Sequence, residues 1–205
     1  MNFTGFTEED FQTFQINGLT ERMTAIQERI QPKFNQLGST LADDLAALLG
    51  QEMFLHIARH ARRKVNPPND TWLAVADNKR GYKQHPHFQV GLFDDHVFIW
   101  LAFIYELPRK KEIAQAFLTH QQMLHNTIPA DYVVSLDHLK KDAQTWEELD
   151  VEHALERFRD VKKAELLIGR HIQADDPVLQ DGKALYTLIK ETFETLLPIY
   201  QLAYK

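Results

Sequence analysis

The segment HPHFQVGLFDDHVFIWLAFIYE, residues 85–106, constrains this chain more than any other. From Val97 to Tyr105 it runs nine residues without a charge. That is about half of the ~20 residues a membrane-crossing helix needs. The run is rich in β-branched and aromatic side chains, which favour a strand. Successive strand residues point to opposite faces, so a run that is apolar at every position must be covered on both sides. It is therefore expected at the centre of a sheet. In the preceding HPHFQVGLFD (85–94), Phe88, Val90 and Leu92 share one face and His87, Gln89 and Gly91 the other. The short Asp94-Asp95 link makes the two segments an antiparallel hairpin.

DTWLAVAD (70–77), ADYVVSLDH (130–138) and KKAELLIGRHI (162–172) carry the same strand signature. Residues 52–63 fit two patterns. A helix would bury Met53, Phe54, Ile57, Ala58 and Ala61, whereas a strand would put Phe54, His56, Ala58, His60 and Arg62 on one face. A strand paired with 70–77 across the NPPN turn is preferred. Elsewhere the pattern is helical. Thr7 is placed as an N-cap, and Met23, Ile26, Ile30, Phe34 and Leu37 form an apolar stripe that Pro32 should kink or divide. STLADDLAALLG reads as a further helix capped by Ser39 or Thr40 and stopped at Gly50. Helices are also expected over 109–126, about 147–161 and 183–201. Together these predict an α+β fold, an antiparallel or mixed sheet of about five to six strands covered by helices. One globular domain over 1–205 is expected: helical to residue 50, strand-rich over 52–106 and mixed over 107–205.

With no cysteine, the chain has no disulfide framework, thiolate nucleophile, iron–sulfur cluster or cysteine-based zinc site. The N-terminal MNFTGFTEEDF lacks the basic and apolar regions of a secretion signal, so a cytoplasmic protein without a membrane partner is expected. Net charge is −6, which argues against general nucleic-acid coating. The phosphate-cradling GxxxxGK, the dinucleotide GxGxxG and the nucleophile-elbow GxSxG are all absent, and no cofactor is expected.

Against that acidic background one stretch is basic. Between His56 and Gly91 there are seven Lys or Arg and two acids, Asp70 and Asp77, a local +5 that leaves the remainder at −11. Arg59, Arg62 and Arg63 lie in LHIARHARRK, and Lys79, Arg80 and Tyr82 in NKRGYK. Guanidinium groups offer paired donors that match phosphate and carboxylate, and Tyr82 offers a stacking surface. His56, His60 and His87 are placed near these cations, so the candidate ligand-binding set comprises these nine residues. A metal held by the histidines with Asp94 or Asp95 is a weaker alternative, because position 57 is Ile where HExxH needs Glu and the arginines would repel a cation. Structural surface charges and core histidines are the plain alternative for both groups.

EMFLHIARHARRKVNPPNDTWLAVADNKRGYK (52–83), PHFQVGLFDDHVFIW (86–100) and VKKAELLIG (161–169) together resemble the uncharacterised YktB-like bacterial family along essentially the whole chain. The resemblance implies a compact α+β domain of a Gram-positive bacterium and carries over no catalytic residue. Function then rests on the residues themselves. The leading expectation is a module binding an anionic or phosphate-bearing small molecule, or a nucleic-acid segment, through 56–91. The alternatives are a histidine/arginine-dependent hydrolase or phosphate-transfer enzyme, and an interaction module using its helices.

Overall fold

A computed structural model describes residues 2–205. Seven strands form one sheet: β1 Phe54–Ile57, β2 Thr71–Ala76, β3 His87–Leu92, β4 His96–Phe103, β5 Val133–Ser135, β6 Gln144–Thr145 and β7 Leu166–Gln173. Their order is β1-β2-β3-β4-β7-β5-β6, and every neighbouring pair is antiparallel. The sheet thus has seven strands where the sequence indicated five to six. The extra one, β6, is two residues long and leaves no alternation to read. β4 is central and buried at all eight positions, as its unbroken apolar run requires.

The strand expected over 52–63 ends early. After Ile57 a single backbone hydrogen bond still joins the chain to β2, Ala58 N–H donating to Trp72 O at 2.9 Å. The sequence beyond carries Arg59, Arg62, Arg63 and Lys64, all exposed, and leaves the sheet as a loop. His60 and Arg62 therefore do not share a strand face with His56.

The helices are α1 Glu8–Gln12, α2 Leu19–Ala25, α3 Gln31–Leu49, α4 Lys110–Thr119, α5 Gln121–Thr127, α6 Val151–Asp160 and α7 Gly182–Leu202. Thr7 is the N-cap of α1, and its backbone N–H is taken up by the Asp10 carboxylate at 2.7 Å. A wide turn of π-helix over Ile26–Ile30 joins α2 to α3. Pro32 sits in the first turn of α3, where its missing N–H costs little, so the irregularity lies just upstream of it. Ser39 and Thr40 cap nothing. α3 passes through them, with Thr40 Oγ1 donating back to Gln36 O, because Leu37, Leu41 and Leu45 continue one buried stripe. Gly50 ends the helix in the left-handed region, φ 67°. The helix expected over 109–126 is divided at His120. Among the described residues no helix is long and apolar enough to cross a membrane.

The two faces of the sheet are covered differently. On one, Leu73, Val75, Phe88, Val90, Ile99 and Leu101 pack against Phe34 and Leu37 of α3 and Phe193 and Leu196 of α7 in a continuous apolar core. Phe88 lies 4.8 Å from the Phe193 ring and 5.1 Å from Tyr200. On the other, a smaller cluster of Phe93, Phe98, Trp100, Ala102, Ile104 and Leu167 contains no helical residue. Loops 58–70, 77–86 and 136–143 lie over this second face. Gly91 stands there between Trp72 and Phe98, where a Cβ would meet Phe98 Cζ at 2.2 Å.

Candidate functional site

Three hollows follow one another beneath those loops. The first, about 810 Å³, is lined by His56, Arg59, the 78–85 segment and Glu106. The second, about 400 Å³, lies between residues 58–63, Trp72, Tyr82 and His138. The third, about 670 Å³, is bounded by Tyr105, residues 136–144, Arg157, Lys163 and Glu165. Arg59, Tyr82, Lys83 and Glu106 belong to both the first and second, and His138 and Leu139 to both the second and third. The three are therefore one groove along the loop-covered face.

Hydrogen bonds and ring contacts attach the floor of the first hollow to the sheet. β1 presents His56, whose Nε2 donates to Asn78 O at 2.8 Å. The Tyr82 ring sits 5.5 Å from His56 and 4.9 Å from His87, and its hydroxyl accepts from Trp72 Nε1 at 2.9 Å. Burial pushes the Tyr82 hydroxyl up to about 12, so it stays protonated. His87 is fully buried under this ring. Its Nδ1 donates to His85 O at 2.7 Å, which leaves Nε2 to accept from Gln89 Nε2 at 2.8 Å. With both nitrogens used and burial lowering its pKa to about 4, His87 is a neutral support for Tyr82 rather than an open ligand group.

The second hollow is ringed by cations. His60 is the one non-glycine residue with positive φ among the described residues, at 50°, a conformation that costs a non-glycine residue about 1–2 kcal/mol. Its Nε2 lies 3.2 Å from Thr71 Oγ1 and its ring stands edge-on to Trp72. Burial, reinforced by Arg63, lowers its pKa to about 4. Arg59, Arg62 and Arg63 are exposed along the rim. Among the described residues none of Arg59, Arg62, Arg63, Lys79 and Arg80 lies within 4.0 Å of a carboxylate. Lys83 alone pairs, with Glu106 at 3.4 Å. Asp70, nearby, is buried with its Oδ2 unpartnered. Burial pushes its carboxyl up to about 6 against the opposing charges of His138 and Arg63.

At the junction with the third hollow stands His138, just past β5. Buried Glu165 leads into β7, and its Oε2 accepts from the backbone N–H of His138 at 2.9 Å and from its Nδ1 at 2.7 Å. Tyr105 N–H donates to the other oxygen at 3.4 Å. Burial opposes charge on the imidazole, but the Glu165 hydrogen bond, with Asp70 and Asp137 behind it, holds the pKa above the ordinary histidine value.

Asp137, His138 and Glu165 are the one group among the described residues with three potential metal-ligand atoms within 4.8 Å of one another. The arrangement suits a cation poorly. A proton already bridges His138 and Glu165, and Lys140, Arg157 and Lys163 line the same hollow. The histidine set weighed from sequence does not come together: His87 is used internally, and Asp94 and Asp95 are both bound by Lys141.

The structure thus brings His56, Arg59, Lys79, Arg80 and Tyr82 to one hollow and Arg59, His60, Arg62, Arg63 and Tyr82 to the next, with His87 beneath. Sequence reasoning passed over His138 and Glu165. A signal for Glu165 was present, since a lone acid flanked by Ala164 and Leu166 at the start of an apolar strand must be buried and needs donors. Trp72 is the one residue of β2 that is not fully buried, and it lines the second hollow.

Comparison with known proteins adds the family. A domain of unknown function (DUF1054) matches residues 6–200. The chain is 65% identical over 199 residues to UPF0637 protein OB1420 of Oceanobacillus iheyensis, covering 97% of this chain and 96% of that one. It is 61% identical over 203 residues to UPF0637 protein ABC2405 of Shouchella clausii, covering 99% and 96%. With UPF0637 protein lmo1065 of Listeria monocytogenes the identity is 49% over 203 residues, covering 99% of each. The chain belongs to this bacterial UPF0637 family with its DUF1054 domain, in agreement with the YktB-like resemblance of its sequence.

Proposed function

We propose that the chain binds a small phosphorylated or similarly anionic molecule in the groove on the loop-covered face. The observation that carries this reading is the set of cations without carboxylate partners, Arg59, Arg62, Arg63, Lys79 and Arg80, around two joined hollows. The guanidinium groups match phosphate oxygens in pairs, while Tyr82 and Trp72, locked together by a hydrogen bond, give a rigid wall between them. Hollows of 400 and 810 Å³ suit a metabolite rather than a polymer.

Calorimetric titration with pyrophosphate tests the proposal. Binding should weaken as ionic strength rises. Arg62→Ala with Arg63→Ala should lower affinity at least tenfold, since each charge-assisted hydrogen bond contributes about 1.5–3 kcal/mol. Binding that is absent, or indifferent to both salt and the double substitution, overturns the reading.

A further inference from the structure

We propose that His138 donates a proton to the leaving group of a phosphate ester held in this groove, and that the bound molecule is therefore hydrolysed. The inference rests on the anion-binding reading above and names the chemistry of the same site. Three observations carry it. First, His138 is the residue common, with Leu139, to the basic hollow and to the third hollow, so its ring stands where a ligand spanning both would be joined. Second, Glu165 engages its Nδ1 and its backbone N–H together, which fixes the ring and leaves Nε2 with no protein partner. An orienting carboxylate behind the imidazole of a cavity-lining histidine, its other nitrogen without a protein partner, is the arrangement general acid–base catalysis needs. Third, the ring is partly open, its side chain 22% exposed, while Glu165 is 3% exposed. The acid is reachable and its support is not.

No serine, threonine or cysteine lines the basic hollow among the described residues, and water is taken as the nucleophile. Arg59, Arg62 and Arg63 hold the phosphoryl oxygens. Water oxygen bonds to phosphorus as the bond from phosphorus to the ester oxygen breaks. The Nε2 proton passes to that departing oxygen, which leaves as an alcohol. One hydrogen of the water stays on the phosphate, and its other proton restores the charged imidazole. Ester and water give alcohol and inorganic phosphate, with no change of oxidation state. Tyr105 and Leu139, both exposed beside the third hollow, offer an apolar or aromatic leaving group a surface on which to rest.

The test compares two esters with the full chain. Phenyl phosphate has a leaving oxygen that needs protonation, whereas p-nitrophenyl phosphate has one that departs with little help. The wild-type chain should hydrolyse both. His138→Gln should lower kcat for phenyl phosphate about 100-fold, lower it much less for p-nitrophenyl phosphate, and leave KM and pyrophosphate binding within about twofold. Glu165→Gln, a change to the positioning residue, should shift kcat in the same ester-dependent way. Pyrophosphate binding without hydrolysis of either ester by the wild type overturns this inference and leaves the anion-binding reading intact, a result independent of whether any variant folds. Equal loss on both esters also overturns it. Failure to bind pyrophosphate removes both.

Discussion

The two faces of the sheet are built from the same strands and buried by different means. On the helix-covered face Val75, Phe88, Val90, Ile99 and Leu101 meet apolar side chains from α3 and α7. One residue along, on the loop-covered face, stand His56, Trp72, His87, Gln89 and Trp100, where burial is completed by loops that bring their own histidines and charges. The first arrangement is non-directional: any well-fitting apolar set stabilises it. In the second, almost every polar atom must be placed. His87 is satisfied at both nitrogens, Tyr82 and Trp72 satisfy each other, and Asp70 is left with an unpartnered oxygen. Apolar packing is concentrated on one side of the sheet and directional polar contacts on the other.

Substitutions on each face break or sharpen that contrast. The largest effect belongs to the helix-covered face. Phe88→Ala should cost about 3–5 kcal/mol in denaturant unfolding, and a cost under about 1 kcal/mol would mean that this face is not the stabilising one.

Asp70→Asn should do the opposite. In the folded chain the carboxyl titrates near 6, above its ordinary value of 3.8. An acid whose pKa is raised on folding stabilises the fold relative to its ionised form below the unfolded pKa, and that advantage is lost as pH rises through the folded pKa. Stability of the wild type should therefore fall between about pH 4 and pH 6 and then level, through this group. Asparagine, which never ionises, should remove that fall and stabilise the chain at alkaline pH by something on the order of 3 kcal/mol. A destabilised Asn variant would show that the carboxylate is well partnered in solution, by Arg63 or His138, whose charges oppose the shift.

The smallest effect on stability is expected from Arg62→Ala with Arg63→Ala. Both side chains are exposed and neither pairs with a carboxylate, Arg63 donating only to the Asn66 and Pro67 carbonyls at 3.4 Å, so unfolding should move by no more than about 0.5 kcal/mol while pyrophosphate affinity drops. A large loss of stability would make them structural.

Much of the sheet was legible because alternation is a strong signal where one face is apolar. Phe88, Val90 and Leu92 announced β3, and the unbroken run after Val97 announced the central strand. β6 was not legible, since two residues carry no period. Ser39 and Thr40 looked like a cap because their types favour one, but the Leu37, Leu41 and Leu45 stripe overrode that local preference. Charge clustering picked out loops that the fold brings side by side around two adjoining hollows. What spacing could not give was the end of β1. A shared face for His56 and His60 requires regular backbone through residue 60, and His60 instead takes a left-handed conformation. His138 follows β5 and Glu165 precedes β7, 27 residues apart, so only the pairing of these two strands puts them in contact.

The most direct measurement is an amide chemical-shift titration of the full chain with pyrophosphate. Binding in the groove predicts shifts concentrated in residues 58–63, 79–83 and around His138, with α3 and α7 unmoved. Shifts gathered on α3 and α7, or scattered evenly over the surface, would contradict a site on the loop-covered face.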